Sequence, residues 1–207
     1  MISRYLDAVV IRTFSHDRLL EFARYASIPV INGLTDLMHP CQALSDLFTI
    51  KEKKGLKDIV FSYVGDGNNV LNSLLEGCSR MGIKMKIACP KGYAPDRDIL
   101  REAGASIELF NLAKDAVKDA DVVYTDVWTS MGKEKERKRR LKAFRKFQVN
   151  SELMKLAKKD AMVMHCLPAH RGEEITDDVL DSSQSIVIDQ AENRLHVQKA
   201  ILVKLLK

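Results

Sequence analysis

Short apolar runs alternate along most of the chain with stretches whose apolar residues recur at helical spacing. The runs predict strands at residues 7–12, 28–32, 59–64, 84–89, 107–110, 122–125 and 160–164. The helical spacing predicts helices at about 16–26, 39–55, 70–81, 95–103, 112–118, 151–159 and 191–206. Strands that alternate with helices in this way indicate an α/β fold with a doubly wound, Rossmann-like parallel sheet.

The pattern divides the chain unevenly. It opens with a strand–helix–strand unit, which predicts two parallel strands. Little sequence precedes the first strand, so its sheet is expected to lack neighbours. We therefore expect a remnant of one α/β domain at residues 1–45, a larger domain at 46–190, and a last helix at 191–207 that returns to the first domain.

Composition narrows the class of protein. The 207 residues are 46% hydrophobic, which suffices for a core, and 29% charged. Four cysteines without a CxxC motif predict reduced thiols and a cytoplasmic location. No apolar run approaches the ~20 residues of a membrane span, so no membrane partner is expected. The net charge of +5 is compatible with a nucleic-acid partner, with anionic substrates, or with nothing more than a lysine-rich surface.

Residues 133–140 are eight consecutive charges, six of them basic. Such a run suits a nucleic-acid surface or a targeting signal. Two i,i+4 pairs, Glu134 with Lys138 and Glu136 with Arg140, favour a solvated helix instead, and no nucleic-acid partner is expected. The buried side of this helix is expected to carry Leu141, Phe144 and Phe147.

Reactive side chains cluster after the last predicted strand, in the sequence His-Cys-Leu-Pro-Ala-His-Arg-Gly at residues 165–172. Pro168 and Gly172 stop regular structure, so these groups lie at a strand end, where ligands bind in open parallel sheets. An ordinary strand-to-loop junction with a buried cysteine is the simpler alternative. A zinc site is not expected, because the His-Cys-x3-His pattern has no second ligand pair nearby.

Three further groups of polar residues follow strands or begin helices. The Gly-Asp-Gly-Asn-Asn turn at 65–69 has the wrong spacing for a dinucleotide motif, so its asparagines cap a helix or bind a polar ligand. Asp126 follows a strand and suits an ammonium group, or simply forms a turn. A carbonyl group with an attached amide would be bound well by Arg12, His39 and Gln42. A proton of His or Arg can polarise the carbonyl oxygen, and the Gln side chain can bind the amide.

Five stretches together resemble the ornithine carbamoyltransferases in order and spacing. They are Met-His-Pro-Cys-Gln-Ala-Leu at 38–44, the turn at 65–69, Asp-Val-Trp-Thr-Ser-Met-Gly at 126–132, His-Cys-Leu-Pro at 165–168, and Ala-Glu-Asn-Arg at 191–194. The family's Ser-Thr-Arg-Thr phosphate loop does not occur in this sequence. The chain therefore resembles a carbamoyltransferase that lacks a substantial N-terminal portion.

The resemblance implies transfer of the carbamoyl group of carbamoyl phosphate to the δ-amine of ornithine, giving citrulline and phosphate. No metal or organic cofactor is implied. The first domain would be a remnant of the carbamoyl-phosphate domain, and the second would bind ornithine. A homotrimer is also implied. The activity of this chain is expected to be impaired by the truncation. A non-catalytic ornithine-binding or regulatory module is one alternative, and a carbamoyltransferase for another amine, such as putrescine, is the other.

The resemblance also assigns site residues. The implied ornithine contacts are Asn69, Asp126, Ser130, Met131, Cys166 and Leu167. The implied carbamoyl-phosphate contacts are Arg12, His39, Gln42, Cys166, Leu167 and Arg194. Arg12 and His39 would stabilise charge on the carbonyl oxygen. Cys166 would accept the proton of the amine or position it, and a thiolate would be favoured by cations such as Arg171 or a protonated histidine.

Overall fold

Residues 1–130 and 132–207, which the computed structural model describes, contain two separate parallel sheets. The strands are β1 (Val9–Arg12), β2 (Val30–Leu34), β3 (Val60–Val64), β4 (Lys84–Ala88), β5 (Ile107–Phe110), β6 (Val122–Thr125) and β7 (Met162–His165). β1 pairs with β2, and the larger sheet has the order β5-β4-β3-β6-β7. The predicted fold class is confirmed.

Helices connect almost all of these strands. They are α1 (His16–Tyr25), α2 (Pro40–Lys54), α3 (Asn69–Arg80), α4 (Arg97–Ala103), α5 (Ala113–Val117), α6 (Arg137–Phe144), α7 (Ser151–Met154), α8 (Asp177–Leu180) and α9 (Val187–Leu206). Their ends follow local chemistry. Ser15 caps α1 by accepting a hydrogen bond from the Arg18 amide, and α2 stops at Gly55, whose φ of +78° suits glycine.

Three predicted boundaries were wrong. β2 starts after Pro29, which has no N–H to pair, and it continues through Gly33 because a register shift accommodates the Asn-Gly pair. α7 ends at Met154 because the chain turns there to bond the segment before β6. α9 begins four residues earlier than predicted, since the β-branched Val187 and Ile188 give its start the appearance of a strand.

Alternate residues of each central strand face opposite layers of the core. Phe61 and Tyr63 of β3 and Tyr124 of β6 are fully buried on the side of α2, α3 and α4. Val64 and Val123 of the same strands pack on the other side, against α5, α7 and α8. Helices thus cover both faces of the larger sheet, which explains its long apolar strands.

The order of the strands reverses between β3 and β6, which are neighbours in the sheet but far apart in sequence. The connections leaving these two strands go to opposite faces and open a crevice at their carboxyl ends. The predicted polar turn at 65–69 follows β3, Asp126 follows β6, and Cys166 follows β7. α9 packs along α2 and so returns the end of the chain to the first sheet.

The small sheet is poorly covered in the part of the chain that the structure describes. Its two strands leave Val10 60% and the neighbouring Phe14 68% exposed. Exposed apolar groups on a sheet with open edges are unfavourable in water, so this face is suited to contact with further polypeptide. Among the described helices, none is long and apolar enough to cross a membrane.

Candidate functional site

A cleft of about 400 Å³ lies between the two sheets, at the carboxyl ends of their strands. Every site residue named from the sequence lines it except Met131, which falls outside the described residues. The lining set includes Arg12, His39, Gln42, Asn69, Asp126, Ser130, Cys166, Leu167 and Arg194. These residues span 182 positions of sequence (194 minus 12), so only the fold brings them together.

Asp126 is the buried carboxylate of this cleft, at 5% exposure. Its Oδ2 accepts a hydrogen bond from Asn68 Nδ2 at 2.6 Å, and its Oδ1 accepts one from the Val127 amide at 2.7 Å. Asn68 is fixed in turn, because its Oδ1 caps α3 by accepting from the Val70 and Leu71 amides, both at 3.1 Å. The helix cap and the carboxylate therefore form one rigid unit.

Cys166 is a hydrogen-bond donor in this structure. Its Sγ lies 3.0 Å from Asp126 Oδ1. Burial first, and then the negative charge of Asp126, raise the pKa of the thiol well above its ordinary value. The cysteine is consequently protonated at neutral pH when no ligand compensates the carboxylate.

The cations expected to favour a thiolate are engaged elsewhere, so that part of the sequence interpretation was wrong. Arg171 is paired at the surface with Asp177 and Asp181, at 2.7 Å each. His165 is completely buried, and its Nδ1 accepts the Leu167 amide proton at 2.9 Å while its Nε2 faces Glu174. Both ring nitrogens of His165 thus have partners other than the Cys166 thiol.

Asp126, His165 and Cys166 also offer ligating atoms within 4.8 Å of one another. The thiol and the carboxylate bond each other, and both nitrogens of the imidazole have partners. The geometry is that of a closed hydrogen-bonded network, and a metal ion would have to break these bonds to bind.

His39 faces the same cleft from the start of α2, where Pro40 occupies the first helical position. Burial, followed by the charges of Arg194 and Arg12, lowers the pKa of its imidazole to about 4. The ring is 8% exposed, and its Nδ1 has no hydrogen-bond partner in the described structure. His39 is thus a neutral imidazole, able to donate one N–H, and its ring does not cap the helix.

Gln42 forms hydrogen bonds within the protein through both ends of its amide. Its Nε2 donates to Asp46 Oδ1 at 2.8 Å, and its Oε1 accepts from Arg194. Binding of the carbamoyl amide by the Gln42 side chain stays a prediction, and Gln42 does line the cleft. Gln42 also holds the Arg194 guanidinium, which reaches the cleft from the third turn of α9.

Asp46 anchors this arrangement and was missed in the sequence, where it reads as one polar residue of an amphipathic helix. It is fully buried, and its oxygens accept from Gln42, Gln190 and, at 2.9 Å, Tyr124. Burial raises its pKa to about 6, against these hydrogen bonds. Gln190 also accepts the amide proton of His165, so the network reaches the residue before Cys166.

The Gly-Asp-Gly-Asn-Asn turn allows a close backbone contact and links the two sheets. A Cβ added at Gly67 would lie 2.2 Å from the carbonyl carbon of Ala94, so only glycine allows this approach. Asn69 lines the cleft and donates its side-chain N–H to the Thr35 carbonyl at 2.6 Å. It thereby links the two sheets across the site.

The charged run at 133–140 is only partly the solvated helix that was predicted. A short 3₁₀ turn at Glu134–Glu136 precedes α6, and the Glu136–Arg140 pair forms at 3.0 Å. Arg140, however, is only 3% exposed, because it donates to Asp66 at 2.8 Å and to the Trp128 carbonyl at 2.9 Å. Phe144 and Phe147 are buried as predicted, whereas Leu141 is only partly covered.

Comparison with known proteins matches nearly all of the chain to the two domains of one enzyme family. Residues 57–205 match the model "Aspartate/ornithine carbamoyltransferase, Asp/Orn binding domain", and residues 1–52 match the model for the carbamoyl-P binding domain of the same enzymes. The chain is 58% identical to an ornithine carbamoyltransferase of Syntrophus aciditrophicus, over 98% of this chain and 68% of the relative. It is 55% identical to one from Archaeoglobus fulgidus, over 100% of this chain and 68% of the relative.

Among solved structures, ornithine carbamoyltransferase from Pyrococcus furiosus superimposes with a TM-score of 0.92 and 55% identity. The match covers 98% of this chain and 67% of that one. About a third of each relative therefore has no counterpart among these 207 residues.

Proposed function

The chain belongs to the aspartate/ornithine carbamoyltransferase family, and we propose that it transfers the carbamoyl group of carbamoyl phosphate to the δ-amine of ornithine. The observation that carries this proposal is the convergence of residues from both domains on one cleft. The first domain and α9 supply cations suited to a phosphate, and the second domain supplies a buried carboxylate suited to an ammonium group.

We assign carbamoyl phosphate to the side of the cleft that carries Arg12, His39 and Arg194. Two guanidinium groups suit phosphate oxygens, and the Arg194 group is held in place by Gln42. The neutral imidazole of His39 can donate its N–H to the carbonyl oxygen as negative charge develops there. We assign Leu167 and Cys166, which also line the cleft, to the point where the two substrates would meet.

We assign the α-ammonium group of ornithine to Asp126, with Asn69 and Ser130 beside it and Met131 as a proposed further contact. The neutral δ-amine attacks the carbonyl carbon, and a C–N bond forms. The C–O bond to phosphate then breaks, and phosphate leaves with the electron pair. The proton lost by the nitrogen must reach an acceptor, and a departing phosphate oxygen is available for it.

For Cys166 we propose a positioning role. A thiol whose pKa is raised by burial and by Asp126 is a poor acceptor of the amine's proton. It can act as a base only if its own proton first passes to Asp126 Oδ1, 3.0 Å away. As a donor, it keeps the carboxylate oriented toward the second substrate.

We propose that the first 45 residues act as part of the carbamoyl-phosphate domain and residues 46–190 as the ornithine domain, with 191–207 returning to the first. The two separate sheets support this division. Assembly as a homotrimer remains a proposal, supported by the exposed Val10 and Phe14, and light scattering on the purified chain tests it.

Carbamoyl transfer by these 207 residues alone is expected to be weak. A phosphate needs several convergent donors, and no Ser-Thr-Arg-Thr loop occurs in the sequence. The test is citrulline formation at saturating ornithine over rising carbamoyl phosphate, with and without the separately made N-terminal third of the Archaeoglobus fulgidus relative. Stimulation by that segment supports the proposal. Full activity without it would show that Arg12, His39 and Arg194 suffice for the phosphate.

A further inference from the structure

The loop after β7 places a second group of metal-ligating side chains outside the cleft. His170, Glu173 and Glu174 offer one imidazole nitrogen and two carboxylate oxygens, and these atoms all lie within 4.8 Å of one another. The Glu173 amide donates to the His170 carbonyl at 2.9 Å, and Gly172 has a φ of +80°. This tight turn brings the imidazole close to both carboxylates.

Glu174 carries a buried oxygen that the protein leaves unpaired. The residue is fully buried. Its Oε1 accepts the His170 amide at 2.5 Å and lies 3.1 Å from His165 Nε2. Its Oε2 is buried as well and has no hydrogen-bond partner among residues 1–130 and 132–207. Burial of a carboxylate oxygen without a donor is unfavourable, so this atom points to a cation as its partner.

The imidazole of His170 is placed to share that cation. Its Nδ1 lies 3.8 Å from Glu174 Oε2, which is too long for a hydrogen bond. Two ligands of one tetrahedral zinc ion are separated by about 3.3 Å, so a small shift would bring both atoms onto an ion. The His170 side chain is 48% exposed, which gives an ion access from solvent. Glu173 pairs with Arg137 through one oxygen and has a second oxygen to offer.

We propose that His170, Glu173 and Glu174 bind a divalent cation of the zinc type, with water as the remaining ligand. One imidazole and two carboxylates are a donor set that suits such an ion. Unlike the network around Cys166, this set leaves its existing bonds intact, because Oε1 of Glu174 keeps His165. The spacing of histidine and cysteine in the sequence lacks a second pair of ligands, but the fold supplies two carboxylates. The site lies outside the cleft and is independent of the proposed carbamoyl transfer.

The experiment is calorimetric titration of the whole chain with zinc chloride at about pH 7.5, where an ordinary imidazole is neutral. The test variants are His170→Ala and Glu173→Gln. The matched control is His196→Ala, because His196 is also about half exposed and lies 3.6 Å from a glutamate, but that glutamate is at the surface. Cys166→Ser serves as a second control, since a thiol is the other strong zinc ligand near the loop. Circular dichroism checks that each variant is folded.

We expect wild type, His196→Ala and Cys166→Ser to keep one zinc site of the same affinity. His170→Ala should weaken that site at least about a hundredfold, because losing even a supporting partner of a ligand costs about 10- to 100-fold. Glu173→Gln should weaken it in the same direction.

Three results would overturn the proposal. If wild type binds no zinc, Glu174 is paired by a protonated His170 and no metal site exists. If zinc binding is lost in Cys166→Ser but kept in His170→Ala, the ion binds at the cleft. If His170→Ala and His196→Ala lose affinity equally, or neither loses any, the metal binds the surface without a defined site.

Discussion

Arg140 links the two loops that form the ornithine side of the cleft, and its removal is expected to lower the free energy of unfolding substantially. Its guanidinium joins Asp66, after β3, to the Trp128 carbonyl, after β6, and lies 4.9 Å from the centre of the Tyr93 ring. The proposed change is Arg140→Met, which keeps much of the volume and removes the charge. The matched control is Arg139→Met, because Arg139 is 69% exposed and pairs only at the surface, with Glu136.

The magnitude follows from the burial of the pair. The side chains of Arg140 and Asp66 are 4% and 3% exposed, so the variant leaves an uncompensated carboxylate in the interior. Breaking a buried pair in this way costs about 3–5 kcal/mol of unfolding free energy. Arg139→Met should have little effect, since water replaces its surface partner.

The loss should depend on pH in a definite direction. Burial raises the pKa of Asp66, and loss of the Arg140 charge raises it further. A carboxyl group with a raised pKa in the folded state contributes stability at low pH that is lost as the pH rises through that pKa. The penalty of Arg140→Met should therefore be largest at neutral pH and shrink toward about pH 4, where Asp66 is protonated.

Urea unfolding followed by tryptophan fluorescence suits this measurement, because Trp128 is the only tryptophan of the chain and its carbonyl accepts from Arg140. Circular dichroism on the same samples reports the whole fold. Equal free energies of unfolding for Arg140→Met and Arg139→Met at pH 7 would refute the reasoning, as would a penalty that does not change with pH.

Three other results are expected. Asp126→Ala should weaken ornithine binding in calorimetry roughly ten- to a hundredfold, as for the loss of a charged hydrogen bond, and an unchanged affinity would remove Asp126 from the site. Alkylation of Cys166, followed by peptide mass spectrometry, should have its midpoint above the ordinary thiol pKa, and Asp126→Asn should move it down because a negative charge is gone. Because the pKa of Asp46 is raised to about 6, wild type should lose about 3 kcal/mol relative to Asp46→Asn as the pH rises from about 3 to about 7, as measured by urea unfolding; a constant difference would contradict this.

The fold could be predicted from the sequence because its signals are local. The apolar runs of β3 and β6 and the cap at Ser15 depend on neighbouring residues, and the structure places them within a few positions of the expected bounds. Errors arose where distant contacts decide. The stop of α7 at Met154 is fixed by hydrogen bonds to the segment before β6, which no periodicity in 151–159 reveals.

The residues of the candidate site could be named from family motifs, but several of their partners could not. Asp46 and Arg140 look like ordinary polar positions on helices, and only the packing of α2 and α6 shows them to be buried. Gln42 lines the cleft, but the sequence does not reveal that its amide joins Asp46 to Arg194. A buried polar group needs a partner, but its sequence position does not say which one.

The protonation of Cys166 shows why roles are harder to predict than positions. Its neighbours in sequence, His165 and Arg171, suggest cations that would favour a thiolate. The fold instead ties the imidazole to Leu167 and Glu174, and it brings Asp126, 40 positions away, to the sulfur. Reactivity is thus decided by a carboxylate that Asn68 holds in place from the cap of α3. For this thiol to accept a proton, its own proton must first move onto Asp126. Asp126 is the group proposed to bind the substrate's ammonium, and it would then lose the negative charge that this binding needs. A positioning role for Cys166 avoids that proton transfer.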